Sequence, residues 1–241
     1  LGMGFTLTER EAKAFIEADP KNSEVIFPFI NGKDLNTDNL QSASRYVINF
    51  FDWAEEKAAK YEGPYEHVVK TVKPERQERK SNGDFKKRSP LPQRWWQYAD
   101  KRPALYHALG WGRCFDSHPK GWEKGKSKLS RVLVNSRKGK YFNPTFIENN
   151  KVISDNIVAF PTDQYRQLAL LNSSVIQAWI WNYSSRLKMD LNFSPTDAYE
   201  TLAFPEIKSS YLDELGVLYE DKRSAIRVLR KIGTTKVYNL F

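Results

Sequence analysis

Leu129-Ser-Arg-Val-Leu-Val-Asn135, Tyr141-Phe-Asn-Pro-Thr-Phe-Ile147 and Lys151-Val-Ile-Ser-Asp-Asn-Ile-Val-Ala-Phe160 are apolar runs in close succession. They are rich in β-branched and aromatic residues, and Lys138-Gly139 and Asn149-Asn150 separate them as hairpin-like breaks. The pattern predicts short antiparallel strands. The period then changes. Asp163 to Tyr183 is apolar at Leu168, Leu171, Val175, Ile176 and Trp179, which predicts a helix. Ser185 to Ser194 returns to strict alternation and predicts a further strand, and Ser210 to Ile232 predicts a polar amphipathic helix broken or kinked at Gly216.

Towards the N-terminus, Thr8-Glu-Arg-Glu11 is a capping box, and Ala12, Phe15 and Ile16 form the helical face that follows it. Val25 to Ile30 and Tyr46 to Phe51 are apolar strands, the second apolar on both faces and therefore central. Asp52 with Glu55 predicts a second capping box, on a helix that Gly63-Pro64 ends. A basic helix from Tyr65 to about Arg79 is interrupted near Pro74. Helices interleaved with hairpins place the chain in the α+β class. The expected architecture is a mixed, mainly antiparallel curved sheet with flanking helices and a C-terminal helical extension. Residues 1–208 form the domain and 209–241 the extension.

Charge is distributed unevenly. Val68 to Lys140 holds 20 Lys and Arg against six Asp and Glu, a local +14, while the whole chain carries +9. Charge this dense repels itself unless a polyanion relieves it, and nucleic acid is the usual partner. The same stretch contains Trp95, Trp96, Tyr98, Tyr106, Trp111, Phe115 and Trp122, so it reads as a folded surface and not a basic tail.

Other classes find little support. No apolar run approaches the roughly 20 residues of a membrane helix, and no membrane partner is expected. Cys114 is the sole cysteine, which excludes an internal disulfide and fits a reducing compartment. With only His67, His107 and His118 beside it, no metal site is expected. A glycine-rich phosphate loop, a G-x-S-x-G elbow and an H-E-x-x-H helix are all missing. Glu78-Arg-Lys80 fits the short E-x-K fragment of a metal-dependent nuclease, a pattern that recurs by chance in basic helices. We therefore expect no catalytic residue and no cofactor in this chain.

Binding has better candidates. Arg79, Lys80, Lys86, Lys87, Arg88, Arg94, Arg113, Arg131, Arg137, Lys138 and Lys140 are the candidate phosphate ligands. On Ser185 to Ser194, alternation puts Arg186, Lys188, Asp190 and Asn192 on one face and Leu187, Met189, Leu191 and Phe193 on the other. Arg forks onto guanine, Asn pairs with adenine and Asp accepts from cytosine, so this face is a candidate base-reading edge. An ordinary half-buried strand with a wet outer face has the same pattern, and both readings stand.

Several phrases occur together in order: Val25-Ile-Phe-Pro-Phe-Ile-Asn-Gly-Lys-Asp-Leu35, Ser44-Arg-Tyr-Val-Ile-Asn-Phe50 with Asp52-Trp53, Val72-Lys-Pro-Glu-Arg76, Arg94-Trp95-Trp96 and Arg102-Pro103. Ser173-Ser174 with Trp179, Tyr199-Glu-Thr-Leu-Ala-Phe-Pro205 and Thr235-Lys-Val-Tyr-Asn239 complete the set. In this order they resemble the target-recognition region of MmeI-like type IIG restriction–modification proteins and related adenine-specific DNA methyltransferases of bacterial defence systems. The resemblance implies double-stranded DNA as partner. It also implies a parent polypeptide with a methyltransferase core that uses S-adenosylmethionine and, in some members, a Mg²⁺-dependent nuclease. The N-terminal Leu1-Gly-Met-Gly-Phe5 likewise reads as the start of a piece of something longer. A stand-alone nuclease and a general RNA- or single-strand-binding module are the alternatives.

Overall fold

The computed structural model describes residues 2–204 and 210–240. In chain order its strands are β1 (Thr6–Leu7), β2 (Ile26–Ile30), β3 (Arg45–Ile48), β4 (Arg131–Ser136), β5 (Lys138–Gly139), β6 (Thr145–Glu148), β7 (Val152–Ile153), β8 (Ile157–Phe160), β9 (Ser185–Leu187) and β10 (Asp190–Asn192). The α-helices are α1 (Glu9–Ala18), α2 (Gly32–Thr37), α3 (Glu55–Ala58), α4 (Glu62–Thr71), α5 (Lys73–Arg76), α6 (Pro103–Ala108), α7 (Tyr165–Leu171), α8 (Ser174–Tyr183), α9 (Tyr211–Arg230) and α10 (Thr234–Tyr238). The chain is α+β. Its strands are divided among three small sheets, ordered β1-β3-β2-β7, β5-β10-β9 and β6-β4-β8, where one curved sheet was expected. No helix among the described residues is long and apolar enough to cross a membrane. The expected boundary between 1–208 and 209–241 lies outside the described residues.

The chain divides into two compact units. The first comprises Leu1–Phe29, Ser44–Lys128 and Asn150–Val152. Its β3 is central as expected, flanked antiparallel by β1 and β2. The Thr8 capping box is formed, with Glu11 N donating to Thr8 Oγ1 (3.2 Å) and Thr8 N to Glu11 Oε2 (2.8 Å). The aromatic side chains of the basic stretch are core. Trp95, Trp96, Tyr98, Tyr106, Trp111 and Phe115 are all buried. Two of their polar edges meet backbone carbonyls, as buried aromatics require. Trp96 Nε1 donates to the Trp53 carbonyl (2.9 Å) and Tyr98 OH to that of Ile48 (2.6 Å). Buried Arg76 donates to the carbonyls of Trp95 and Gln97, fixing the loop that carries both tryptophans.

Two local expectations fail here. Asp52 caps no helix; α3 starts at Glu55 behind Ala54. The Asp52 carboxylate instead accepts from the backbone N–H groups of Asp116 and Ser117, both at 2.8 Å. Partial burial pushes its pKa up, but these hydrogen bonds outweigh it and hold the carboxyl below its usual range. Gly63-Pro64 does not end a helix either. It lies in the first turn of α4, where proline loses no hydrogen bond.

The second unit comprises Ile30–Ala43, Leu129–Asn149 and Ile153–Phe241. Here β4 pairs antiparallel with β6 and β8. Leu133, Phe142, Phe160, Leu168, Ile180, Leu191 and Phe193 belong to one core cluster. The single helix expected over 163–183 is two, because Asn172 ends α7 and the Ser173 hydroxyl starts α8 by accepting from Ile176 N (3.4 Å). Lys138-Gly139 is not a hairpin break but the short strand β5. Nor does Gly216 break α9, which runs through it unbroken.

Gly216 serves close approach. A Cβ there would lie 2.2 Å from the Tyr165 carbonyl oxygen at the start of α7, beside the Arg166–Asp213 ion pair (2.8 Å). In an open helix Gly→Ala gains up to about 1 kcal/mol. Gly216→Ala should instead lower stability, by about 1–3 kcal/mol, because backbone must move. Urea unfolding measures the sign; a stabilised variant would contradict the packing described.

Candidate nucleic-acid interface

The alternating segment 185–194 is a hairpin, not one strand. β9 and β10 pair antiparallel with Leu187 opposite Asp190, Arg186 opposite Leu191 and Ser185 opposite Asn192. Lys188 and Met189 form the two-residue turn, and Lys188 has a left-handed φ of 57°. Residues directly opposed in an antiparallel pair share a face. Asp190 and Asn192 therefore lie with Ser185 and Leu187, and Arg186 lies on the opposite face with Leu191. The expected set of four polar side chains on one strand face is corrected by this reversal. So is the expected apolar anchor of four. Leu191 and Phe193 are each 1% exposed, whereas Leu187 is 53% and Met189 88% exposed.

The two buried side chains suffice to seat the hairpin. Phe193 packs on Phe142 and Phe160, with ring centroids 4.9 and 6.3 Å away. Phe193 N donates to the Arg137 carbonyl (2.7 Å), and Arg137 N donates to that of Asn156 (2.7 Å). Next to β10 runs β5, with Lys138 opposite Asn192 and Gly139 opposite Leu191. Lys138, Asn192 and Ser185 thus form one row across the sheet, with Asp190 on the same face. Asn192 Nδ2 donates to Ser185 Oγ (2.8 Å), which orients the amide. Arg186 holds its guanidinium 5.7 Å from the Trp181 ring. A cation, an amide and a carboxylate come together on one exposed sheet face. Phosphate contact and base-edge pairing need these groups.

The remaining candidates of this unit divide by what their side chains already do. Arg131 is turned inward: Nε and Nη2 donate to the Asp163 carbonyl (3.2 and 2.8 Å), between Phe146 and Tyr165 at 4.1 and 3.9 Å. That clamp commits two of its nitrogens to the fold, which charge counting could not show. Half-buried Arg137 directs Nε to the Asp155 carbonyl (3.4 Å). Lys140 is exposed, with Nζ donating to Asn239 Oδ1 (2.7 Å).

In the first unit, residues 78–88 form an exposed basic loop closed by a bridge between Arg79 and Phe85. Arg79 donates to the Gly83 carbonyl (2.7 Å) and lies 4.2 Å over Phe85. Lys86 pairs with Glu78 and Lys87 with Glu75 (2.7 Å), on exposed side chains. Such pairs are worth about 0–1 kcal/mol, so exchange for a phosphate is nearly free. Lys80, Arg88, Arg94 and Arg113 are exposed. Glu78, the first residue of the E-x-K pattern, is taken up by that ion pair, and no group of three or more His, Cys, Asp or Glu suited to a metal occurs among the described residues. His107 and His118 are hydrogen-bonded to each other (2.6 Å).

Residues 117–206 match the family model described as MmeI, target recognition domain. The resemblance to a target-recognition region holds over these residues, which include the Ser173-Ser174 and Tyr199–Pro205 phrases. The matched segment contains β4 to β10, and so the whole hairpin and its neighbour β5. A solved structure titled as the type IIL restriction–modification enzyme MmeI in complex with DNA shares the fold, with TM-score 0.59 and 14% identity over 89% of this chain. This chain corresponds to 25% of that chain's length. No curated protein matches.

If two side chains seat the hairpin, truncations on it should differ sharply. Leu191→Ala should cost about 2–5 kcal/mol of unfolding free energy. Met189→Ala, at the exposed turn, should stay within about 0.5 kcal/mol. Chemical denaturation of both variants separates the two positions; equal losses would mean that the turn is packed.

Proposed function

We propose that this chain recognises a specific double-stranded DNA sequence as the recognition region of a larger restriction–modification protein. The observation that carries this reading is the family match over 117–206, within which the exposed face of Lys138, Asp190 and Asn192 stands. Lys188, at the turn, extends the base-reading set, and Arg186 would reach DNA from the opposite face of the hairpin. Lys138 and Lys140, with Lys80, Lys86, Lys87, Arg88, Arg94 and Arg113 and the more committed Arg79 and Arg137, neutralise phosphates and set register. Phosphate contacts give affinity, and the hairpin gives sequence.

In this reading the parent is an adenine-specific methyltransferase of the bacterial cytoplasm. Its core binds S-adenosylmethionine and works on an adenine extruded from the duplex. A nuclease domain in the same polypeptide would require Mg²⁺. The present chain contributes no catalytic residue and binds no cofactor. Residues 1–208 act as the recognition domain, and 209–241 act as a helical spacer towards the other domains.

Reversing Lys86, Lys87 and Arg88 together should weaken binding to all duplexes alike, and the log–log salt slope should become shallower by about one unit per lost contact. An unchanged slope would move the phosphate surface elsewhere. Exchanging charge at Lys188 or Asp190 should instead change the preferred base at one position, at about 1–3 kcal/mol against the original base. Competition between single-base duplex variants reads this directly; an unaltered preference with binding retained would remove the hairpin from base reading.

A further inference from the structure

A second cationic feature lies in the first unit. Phe27, Trp111, Arg113, Cys114, Lys126 and Lys128 line a cleft of about 410 Å³, within the size range of small-ligand sites. Its lining holds three cations and no carboxylate. The Lys128 ammonium sits 4.4 Å over the Trp111 ring, and Trp111 packs on Phe27 with ring centroids 5.2 Å apart. Burial pushes the Lys128 pKa down, the Cys114 thiol being the other group that acts on it. The lining offers no counter-charge to these three cations, and a bound anion would supply one.

The cleft is held open by backbone. Gly110 has φ +82°, and a Cβ on it would lie 2.4 Å from Lys128 Cα and from the Ser127 carbonyl oxygen. Segment 126–128 therefore runs directly across Gly110, with Lys126 N tied to the Glu123 carbonyl (3.1 Å). The three cations thus ride on two segments in direct backbone contact. Nothing in the spacing of Lys126 and Lys128 along the chain marks a cleft.

We propose that this cleft is a phosphate site, in which Arg113, Lys126 and Lys128 hold the phosphate of a nucleotide. An arginine fork and ammonium point charges are the usual phosphate ligands. The phosphate can belong to a DNA strand or to a free nucleotide. Only the strand as source rests on the function proposed above.

Cys114 lines the cleft and is the chain's sole cysteine, so its alkylation reports occupancy without background. With N-ethylmaleimide, deoxyadenosine 5′-monophosphate at about ten times its dissociation constant should slow alkylation about tenfold. Deoxyadenosine should leave the rate unchanged, and Lys128→Glu or the exposed Lys126→Glu should abolish the protection. Protection by duplex DNA but not by the mononucleotide assigns the phosphate to a strand; protection by the mononucleotide alone assigns it to a free nucleotide. Duplex that binds in a gel-shift assay while neither ligand protects Cys114 would overturn the site and leave DNA recognition standing. Mononucleotide protection without duplex binding would do the reverse. Equal protection by deoxyadenosine would also overturn it, since the phosphate would then contribute nothing.

Discussion

Burial of Leu191 and Phe193 in the core formed by Leu133, Phe142 and Phe160 fixes everything that the hairpin presents. Base edges are read only by groups held within a fraction of an ångström of their place. Two apolar side chains on one short strand achieve this because their neighbours are backbone-locked. Phe193 N is bonded to Arg137, and Arg137 N to Asn156, so β10 cannot shift without β5 and the loop before β8. The outer face carries Lys138, Asp190 and Asn192, which the core does not need. In the proposed function, substitution there changes what is recognised without touching stability. A recognition surface has to combine a rigid interior with an exterior free to vary.

The basic stretch works by a related principle. Its aromatic side chains are not a stacking platform; six of the seven are buried, and they hold the intervening cations on folded loops. This burial removes most of the support for a single-strand-binding module, which needs exposed rings. Some cations are spent on structure. Arg76 pins the Trp95 loop from inside, and Arg131 is clamped between two rings against the Asp163 carbonyl. The net charge of a segment therefore overstates the charge offered to a polyanion.

Much of the fold was legible because local chemistry and tertiary structure agree. The Thr8 capping box, the central position of β3, and the turn at Asn149-Asn150 all follow from nearby residues. Where the sequence misled, a distant partner had overridden the local signal. Asp52 has a capping sequence yet bonds the backbone at Asp116 and Ser117. Gly216 resembles a kink but provides room for the Tyr165 carbonyl. The hairpin at 185–194 was illegible for another reason. Its turn, Lys188-Met189, has none of the Asn, Asp or Gly that marks a two-residue turn, and alternation continues in sequence while the chain reverses. The faces of the candidate residues could not be read from alternation, because a reversal reassigns every side chain beyond it.

The account stands on the claim that this chain alone reads duplex sequence. Selection from a random duplex pool, with sequencing of the bound fraction, tests it most directly. Recognition through the seated hairpin predicts enrichment of one short motif, with matched single-stranded and RNA pools yielding none. Binding that retains duplex without enriching any motif, or that prefers the single-stranded or RNA pool, would contradict it.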